Sequence, residues 1–201
     1  MRLNSSMVGW VLMTMAITLV ARHAFAREGM ATVAQAQNFG ERPLTVLVFL
    51  YTDCPNANAM APELERIRAD FAPKGVAFFR VYADDSLSDE AIAKHGQEYK
   101  LNFPAVRDDA LELVKLTGAT VTPEAVVYDR EGKRRYRGRI NNRYEELGRH
   151  RQVATEHDLR DALDALIAGK EPPRTETKAV GCFLPEVKEE QAPLKEAPNE
   201  E

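Results

Sequence analysis

Cys54 stands in the run Leu50-Tyr51-Thr52-Asp53-Cys54-Pro55-Asn56-Ala57, where an apolar strand pattern gives way to a helical one. A thiol at that junction meets the positive end of a helix dipole and a row of backbone N–H groups without helical partners. Both favour the thiolate, the form that attacks disulfides and peroxides. Pro55 suits the first helical turn, where its missing N–H costs nothing. Asp53 works in the opposite direction, because an adjacent carboxylate opposes ionisation. Thr52 is the nearest hydroxyl on the strand side. The competing reading of Cys54 is a small core residue, since free cysteines are often buried.

Only one other cysteine exists, Cys182, in Ala179-Val180-Gly181-Cys182-Phe183-Leu184-Pro185. No second Cys or His lies at ligand spacing from either thiol, so a zinc site is not indicated and no cofactor is called for. From Gly169 to Cys182 the chain can extend by roughly 43–47 Å, enough to return across a domain whose radius of gyration is about 15 Å. Three readings of the pair stand open: a redox couple, an inert staple, and a bond from one cysteine to another protein. Thr122-Pro123-Glu124 forms a third candidate group, at the mouth of the strand pattern Glu124 to Tyr128. A proline at a strand start is often only a tolerated residue that loses no ladder bond.

The elements that must hold these residues alternate. Leu44 to Tyr51 is apolar almost throughout, as for a central strand buried on both faces. Met60, Leu64, Ile67 and Phe71 then recur at helical spacing, and Pro73 and Gly75 stop that helix before a strand at Val76 to Tyr82. Ser88 caps a helix with Ile92, His95 and Tyr99 on one face. Phe103 to Val106 is a short strand, and Asp108 caps a helix that Gly118 closes. Glu124–Tyr128 and Arg134–Ile140 flank the turn Asp129-Arg130-Glu131-Gly132. Thr155 with Asp158 reads as a capping box for a last helix carrying Leu159, Leu163 and Leu166. The pattern implies an α/β fold whose sheet is mostly parallel with an antiparallel edge hairpin and flanking helices.

The two ends differ from this body. Arg2, the apolar stretch Met7 to Val20 and Ala24-Phe25-Ala26 read as a signal peptide over residues 1–26, which places the protein in the periplasm or outside the cell. The alternative is an uncleaved membrane anchor at residues 7–20, a stretch short of the ~20 residues of a spanning helix. Residues 27–42 read as an extended lead-in, 43–169 as one domain, and 170–201 as a C-terminal tail carrying Cys182. The last 16 residues, rich in Glu and nearly without apolar side chains, read as disordered. A net charge of -4 argues against a nucleic-acid partner. The basic run from Lys133 to Arg139, with Arg143, Arg149 and Arg151, reads as a solvated face or as a contact for the acidic tail.

A Cys-Pro at one strand–helix junction, a distant Thr-Pro at another strand start and this element order resemble the thioredoxin superfamily. The extra helix and strand at 89–106 are similar to the insertion of its redoxin branch, which includes peroxiredoxins and periplasmic thiol–disulfide oxidoreductases. The resemblance covers about residues 42–169. It implies a cis bond at Thr122-Pro123 facing Cys54, with a backbone edge left free for an extended substrate. It also implies Cys54 as nucleophile, Cys182 as resolving thiol, and Thr122, Pro123 and Glu124 as the substrate edge, with Thr52, Asp53 and Pro55 in support. Departures are clear. Ala57 stands where thioredoxins carry a second cysteine, and Leu47 and Tyr51 stand where peroxiredoxins carry Pro and Thr. Peroxiredoxins also place an Arg before the strand where this chain has Thr122-Pro123. The resemblance favours a thiol–disulfide oxidoreductase acting on protein thiols or disulfides, then a thiol peroxidase, each fed by an electron donor. A non-catalytic binding module is the reading from another class.

Overall fold

The computed structural model describes residues 29–146 and 148–187; the export segment read at 1–26 and the acidic end from 188 onward lie outside them. The central sheet is built on β2 (Leu44–Phe49), whose six residues are all buried. Alternate side chains leave the strand in opposite directions. Val46 and Val48 join the core under α2 (Pro55–Phe71). Leu47 and Phe49 join a second core on the other face. A run that is apolar except at Thr45 is therefore what this strand carries, because neither of its faces meets water.

β2 pairs in parallel with β3 (Val76–Tyr82), which pairs in parallel with β4 (Ala105–Arg107), and β4 with β1 (Met30–Ala31). On the other side β2 runs antiparallel to β6 (Glu124–Asp129), which makes a hairpin with β7 (Arg134–Gly138). The six-stranded order is thus β1-β4-β3-β2-β6-β7. The mostly parallel sheet with an antiparallel edge agrees with the sequence reading. Asp129 sets the hairpin turn: its Oδ1 accepts from the N–H groups of Glu131 and Lys133, and Gly132 takes the left-handed conformation at φ 73°.

Helices cover both faces. α2 buries Ala57, Met60, Ala61, Leu64, Ile67 and Phe71. α3 (Asp89–Glu98) and α5 (Asp158–Ile167) add Ile92, Leu159 and Leu163 to the same core. α1 (Val33–Gln37) and α4 (Glu112–Thr117) line the opposite core through Ala36, Leu113 and Val114. Among the described residues no helix is long and apolar enough to cross a membrane.

Several local expectations are corrected. The lead-in is not simply extended: it supplies the edge strand β1 and helix α1. Thr32 and Gln35 make a full capping box there, and five residues are too few to show a helical period. The strand expected at 103–106 starts at Ala105, because Pro104 has no N–H for the ladder and the Phe103 carbonyl accepts from Arg80 Nε. Thr155 does not cap α5. Its N–H and hydroxyl are held by Asn142, while the Asp158 carboxylate pairs with Arg139 at 2.7 Å. Asp108 does cap α4, from four residues before its start, accepting from Leu113 and Val114 N–H at 3.0 and 2.9 Å.

After α5 the chain turns back as a strap. Thr175 O and Thr177 N bond the backbone of Arg137 at the exposed edge of β7, both at 3.0 Å. Beyond the short hairpin of β8 (Tyr144–Glu146) and β9 (Arg149–His150), β10 (Cys182–Phe183) pairs antiparallel with β5 (Val121–Thr122). Leu184 N–H donates to Thr120 O at 2.9 Å and its side chain enters the second core. Several of the basic side chains are paired within the chain: Arg137 and Arg135 reach Glu176 and Glu171 of the strap at 2.6 and 2.7 Å, and Arg139 pairs with Asp158.

Candidate active site

Cys54 is the N-cap residue of α2, with extended backbone, and Pro55 occupies the first helical position. Its side chain is 0% exposed. The Thr122–Pro123 bond is cis. The Sγ–H of Cys54 donates to the Thr122 carbonyl at 3.1 Å. Directly across from Thr122 in the β5–β10 pair lies Cys182. The two free thiols therefore meet at the cis-proline, within hydrogen-bonding reach of each other.

The resemblance implied a free backbone edge at Thr122, but the chain's own β10 occupies it. Gly181 makes that fit possible. A Cβ there would stand 1.7 Å from Thr122 O, a distance no side chain tolerates. Asn56, in the first turn of α2, donates from Nδ2 to Val180 O at 3.2 Å and fastens the strap to the helix that carries Cys54.

The two thiols are not equivalent. Burial pushes Cys54 up, but hydrogen bonds from the Cys182 thiol, the Thr122 hydroxyl and the N–H groups of Ala57 and Cys182 outweigh it. The Cys54 thiol is held below its ordinary value. The Thr122 hydroxyl is buried with no partner while Cys54 carries its proton, so it is a donor available to the thiolate. Cys182 moves the other way, pushed up to about 11 by burial, by its hydrogen bond to Cys54 and by the charges of Cys54 and Asp53.

The remaining expected site residues divide. Asp53 is exposed and lies beside Cys182, lining a pocket with it. Thr52 contributes its carbonyl, which accepts from Asn58 Nδ2 at 2.9 Å and fixes the loop before Cys54. Glu124 is buried and turned to the loop rather than to Cys54. Its Oε2 accepts from Thr120 and Val121 N–H at 2.7 and 3.3 Å, and Oε1 lies 3.5 Å from Arg137 Nε. These contacts shape the cis-proline loop.

Sequence reasoning passed over Asn56, Asn58, Gly181 and His95. His95 is buried; its Nδ1 faces Tyr82 Oη at 2.7 Å and its Nε2 faces Asn58 Oδ1 at 2.8 Å. Asn58 Nδ2 donates to Thr52, so its Oδ1 accepts from His95 Nε2–H, and Tyr82 donates to Nδ1. Burial first, and the Arg80 charge second, push His95 down to about 4, so it stays neutral in this chain of bonds. Only the Asn-x-Asn spacing after Cys54 hinted at such a brace.

The model of the AhpC/TSA family matches residues 26–137. No curated protein matches. Among solved structures, the chain is similar to an uncharacterized conserved protein from Geobacillus kaustophilus at 28% identity and TM-score 0.66, over 78% of this chain and 82% of that one. It is similar to a hypothetical protein from Sinorhizobium meliloti 1021 at 25% identity and TM-score 0.64, over 76% and 82%. A secreted disulfide oxidoreductase from Mycobacterium tuberculosis aligns at 22% identity and TM-score 0.44, over 68% and 85%.

Proposed function

The chain belongs to the AhpC/TSA family, and from that premise we propose that it is an exported thiol–disulfide oxidoreductase in which Cys54 is the nucleophile and Cys182 the resolving thiol. The observation that carries this reading is the delivery of Cys182 by β10 opposite Thr122, against a Cys54 whose thiolate is favoured. Export rests on the signal-like residues 1–26.

The chemistry runs in two exchanges. With β10 lifted from β5, the Cys54 thiolate attacks one sulfur of a substrate disulfide, forming a mixed disulfide and releasing the other sulfur as a thiolate. Cys182, after losing its proton, attacks Cys54 Sγ, closes the Cys54–Cys182 bond and expels the second substrate thiolate. Two thiols are oxidised and one disulfide is reduced. The order is built into the pair. While Cys54 is ionised, its charge and hydrogen bond keep Cys182 protonated. Once Cys54 is in a mixed disulfide that influence disappears, and Cys182 becomes a better nucleophile when it is needed.

The occupied edge favours a second reading, a thiol peroxidase. An extended protein segment has no free strand to pair with beside Cys54, whereas a peroxide needs none. There Cys54 attacks the peroxide, becomes a sulfenic acid and condenses with Cys182, releasing water. Turnover of a small disulfide and of hydrogen peroxide, with dithiothreitol as donor, tests both. The account expects activity lost in Cys54→Ser and much reduced in Cys182→Ser; equal turnover in Cys54→Ser and the unaltered chain removes it. The better of the two oxidants assigns the substrate.

A further inference from the structure

The two sulfurs differ sharply in how they can be reached. Cys54 is 0% exposed beneath β10, while Cys182 is partly exposed and opens into a pocket of about 570 Å³. That pocket is also lined by Asp53, Asp84, Asp85, Asp109, Tyr51 and Leu111. Among the described residues, Asp53, Asp84 and Asp85 have no basic partner; Asp84 holds only Ser86, at 2.6 Å. Asp109 is offset by Arg107 at 2.9 Å. The mouth over Cys182 is therefore strongly negative, and low-dielectric walls concentrate such a field on anything that enters.

We propose that the thiol which reduces this protein enters through the Asp53–Asp84–Asp85 pocket, attacks Cys182 and not Cys54, and is cationic or neutral in preference to anionic. The proposal rests on the reading that Cys54 and Cys182 form a disulfide. The external thiolate bonds to Cys182 Sγ, the Cys54–Cys182 bond breaks, and Cys54 leaves as thiolate. A second external thiolate then attacks the mixed disulfide, releasing Cys182, which takes up a proton. The external thiols end as a disulfide, and both protein sulfurs are reduced. Access and leaving-group quality point the same way. The reachable sulfur is Cys182, and the sulfur best stabilised as an anion, by the helix terminus, Ala57 N–H and Thr122, is Cys54. An arrangement in which the helix-terminal cysteine met the outside thiol would need β10 to lift off first, and in the oxidised chain the Cys54–Cys182 bond holds β10 down.

The test uses the full chain. It is oxidised with a mild oxidant, loss of both thiols is verified, and it is mixed briefly with a limiting monothiol. The products are quenched in acid, alkylated with N-ethylmaleimide and mapped by mass spectrometry. The expected product carries the monothiol on Cys182 and the alkyl group on Cys54. The reverse labelling overturns the proposal while leaving the disulfide itself intact. If neither thiol is lost on oxidation, the underlying reading fails and this proposal with it. Cysteamine, 2-mercaptoethanol and 3-mercaptopropionate then test the charge. Per thiolate, cysteamine should react about tenfold or more faster than 3-mercaptopropionate at low salt, with the gap closing as salt rises. The double variant Asp84→Asn, Asp85→Asn should narrow the gap at low salt. Equal rates for the three thiols at low salt would overturn the charge preference.

Discussion

Cys182 lies opposite Thr122 in antiparallel register, and the same Thr122 carbonyl accepts the thiol proton of Cys54. One residue thus positions both sulfurs, one through its place in a strand pair and the other through a direct hydrogen bond. A cysteine distant in sequence is held as a near neighbour by two backbone pairs, the Asn56 bond to Val180 O and the burial of Leu184.

Gly181 should be the residue on which that delivery turns. In Gly181→Ala the new Cβ would meet backbone at Thr122, so the strap must shift or open. Disulfide formation under a mild oxidant should slow by about tenfold or more, ~1.4 kcal/mol in barrier. Gly40→Ala, whose Cβ would meet nothing within 4 Å, is the control and should be unchanged. Equal rates in the two variants would show that the strap does not deliver Cys182.

Reduced protein should titrate Cys54 below the free-thiol value of ~8.5 when thiolate absorbance is followed against pH. Cys182→Ala removes one of the donors that favour the anion, so the Cys54 value should rise. Thr122→Val removes a second donor and should raise it too. A Cys54 titration indifferent to both changes would contradict the assignment of those hydrogen bonds.

Much of this arrangement is legible in the residues alone. β2 announced itself because burial on both faces forces an apolar run, broken only by Thr45, and α2 because one buried face forces Met60, Leu64, Ile67 and Phe71 onto a helical spacing. Cys54 and Thr122-Pro123 were legible because their neighbours mark strand ends. What could not be read was pairing that depends on backbone alone. Nothing in the side chains of residues 175–183 says that they will run along β7 and then take the edge at Thr122. Gly181 gave no pattern, since its role is the absence of a Cβ. His95 looked like any helix-face residue, because its function lies in a bond to Asn58 from a different helix. The partners of Glu124 were hidden for a similar reason: a carboxylate beside Thr122-Pro123 gives no sign that Thr120, Val121 and Arg137 hold it.

Glu124→Leu should destabilise the fold by on the order of 3 kcal/mol in urea melts, because it strips the acceptor from Thr120 and Val121 N–H and leaves Arg137 without a buried partner. Glu124→Gln keeps an acceptor and should cost clearly less. Full stability in the leucine variant would mean that the loop does not depend on the carboxylate.

His95 gives a pH signature. Its folded value, about 4, lies below the unfolded one near 6.5, so the unfolded chain takes up the proton first. Its contribution is therefore complete above pH ~6.5 and is lost progressively as pH falls toward about 4. Urea midpoints of the unaltered chain should drop between pH ~6.5 and ~5 more steeply than those of His95→Gln. Parallel curves would remove His95 as the cause.

The central claim is a reversible bond between Cys54 and Cys182, and its redox potential is the direct measure. Oxidised and reduced chain equilibrated in glutathione or dithiothreitol buffers, quenched and counted for free thiols, yields the value. Inert structural disulfides of secreted proteins lie below about -300 mV, while labile catalytic ones are less negative. The account predicts a single two-electron transition above that limit, because a Cys54 stabilised as thiolate is a good leaving group. A potential below it with no turnover of disulfide or peroxide would make the bond a staple, and two free thiols throughout the oxidising range would contradict the account altogether.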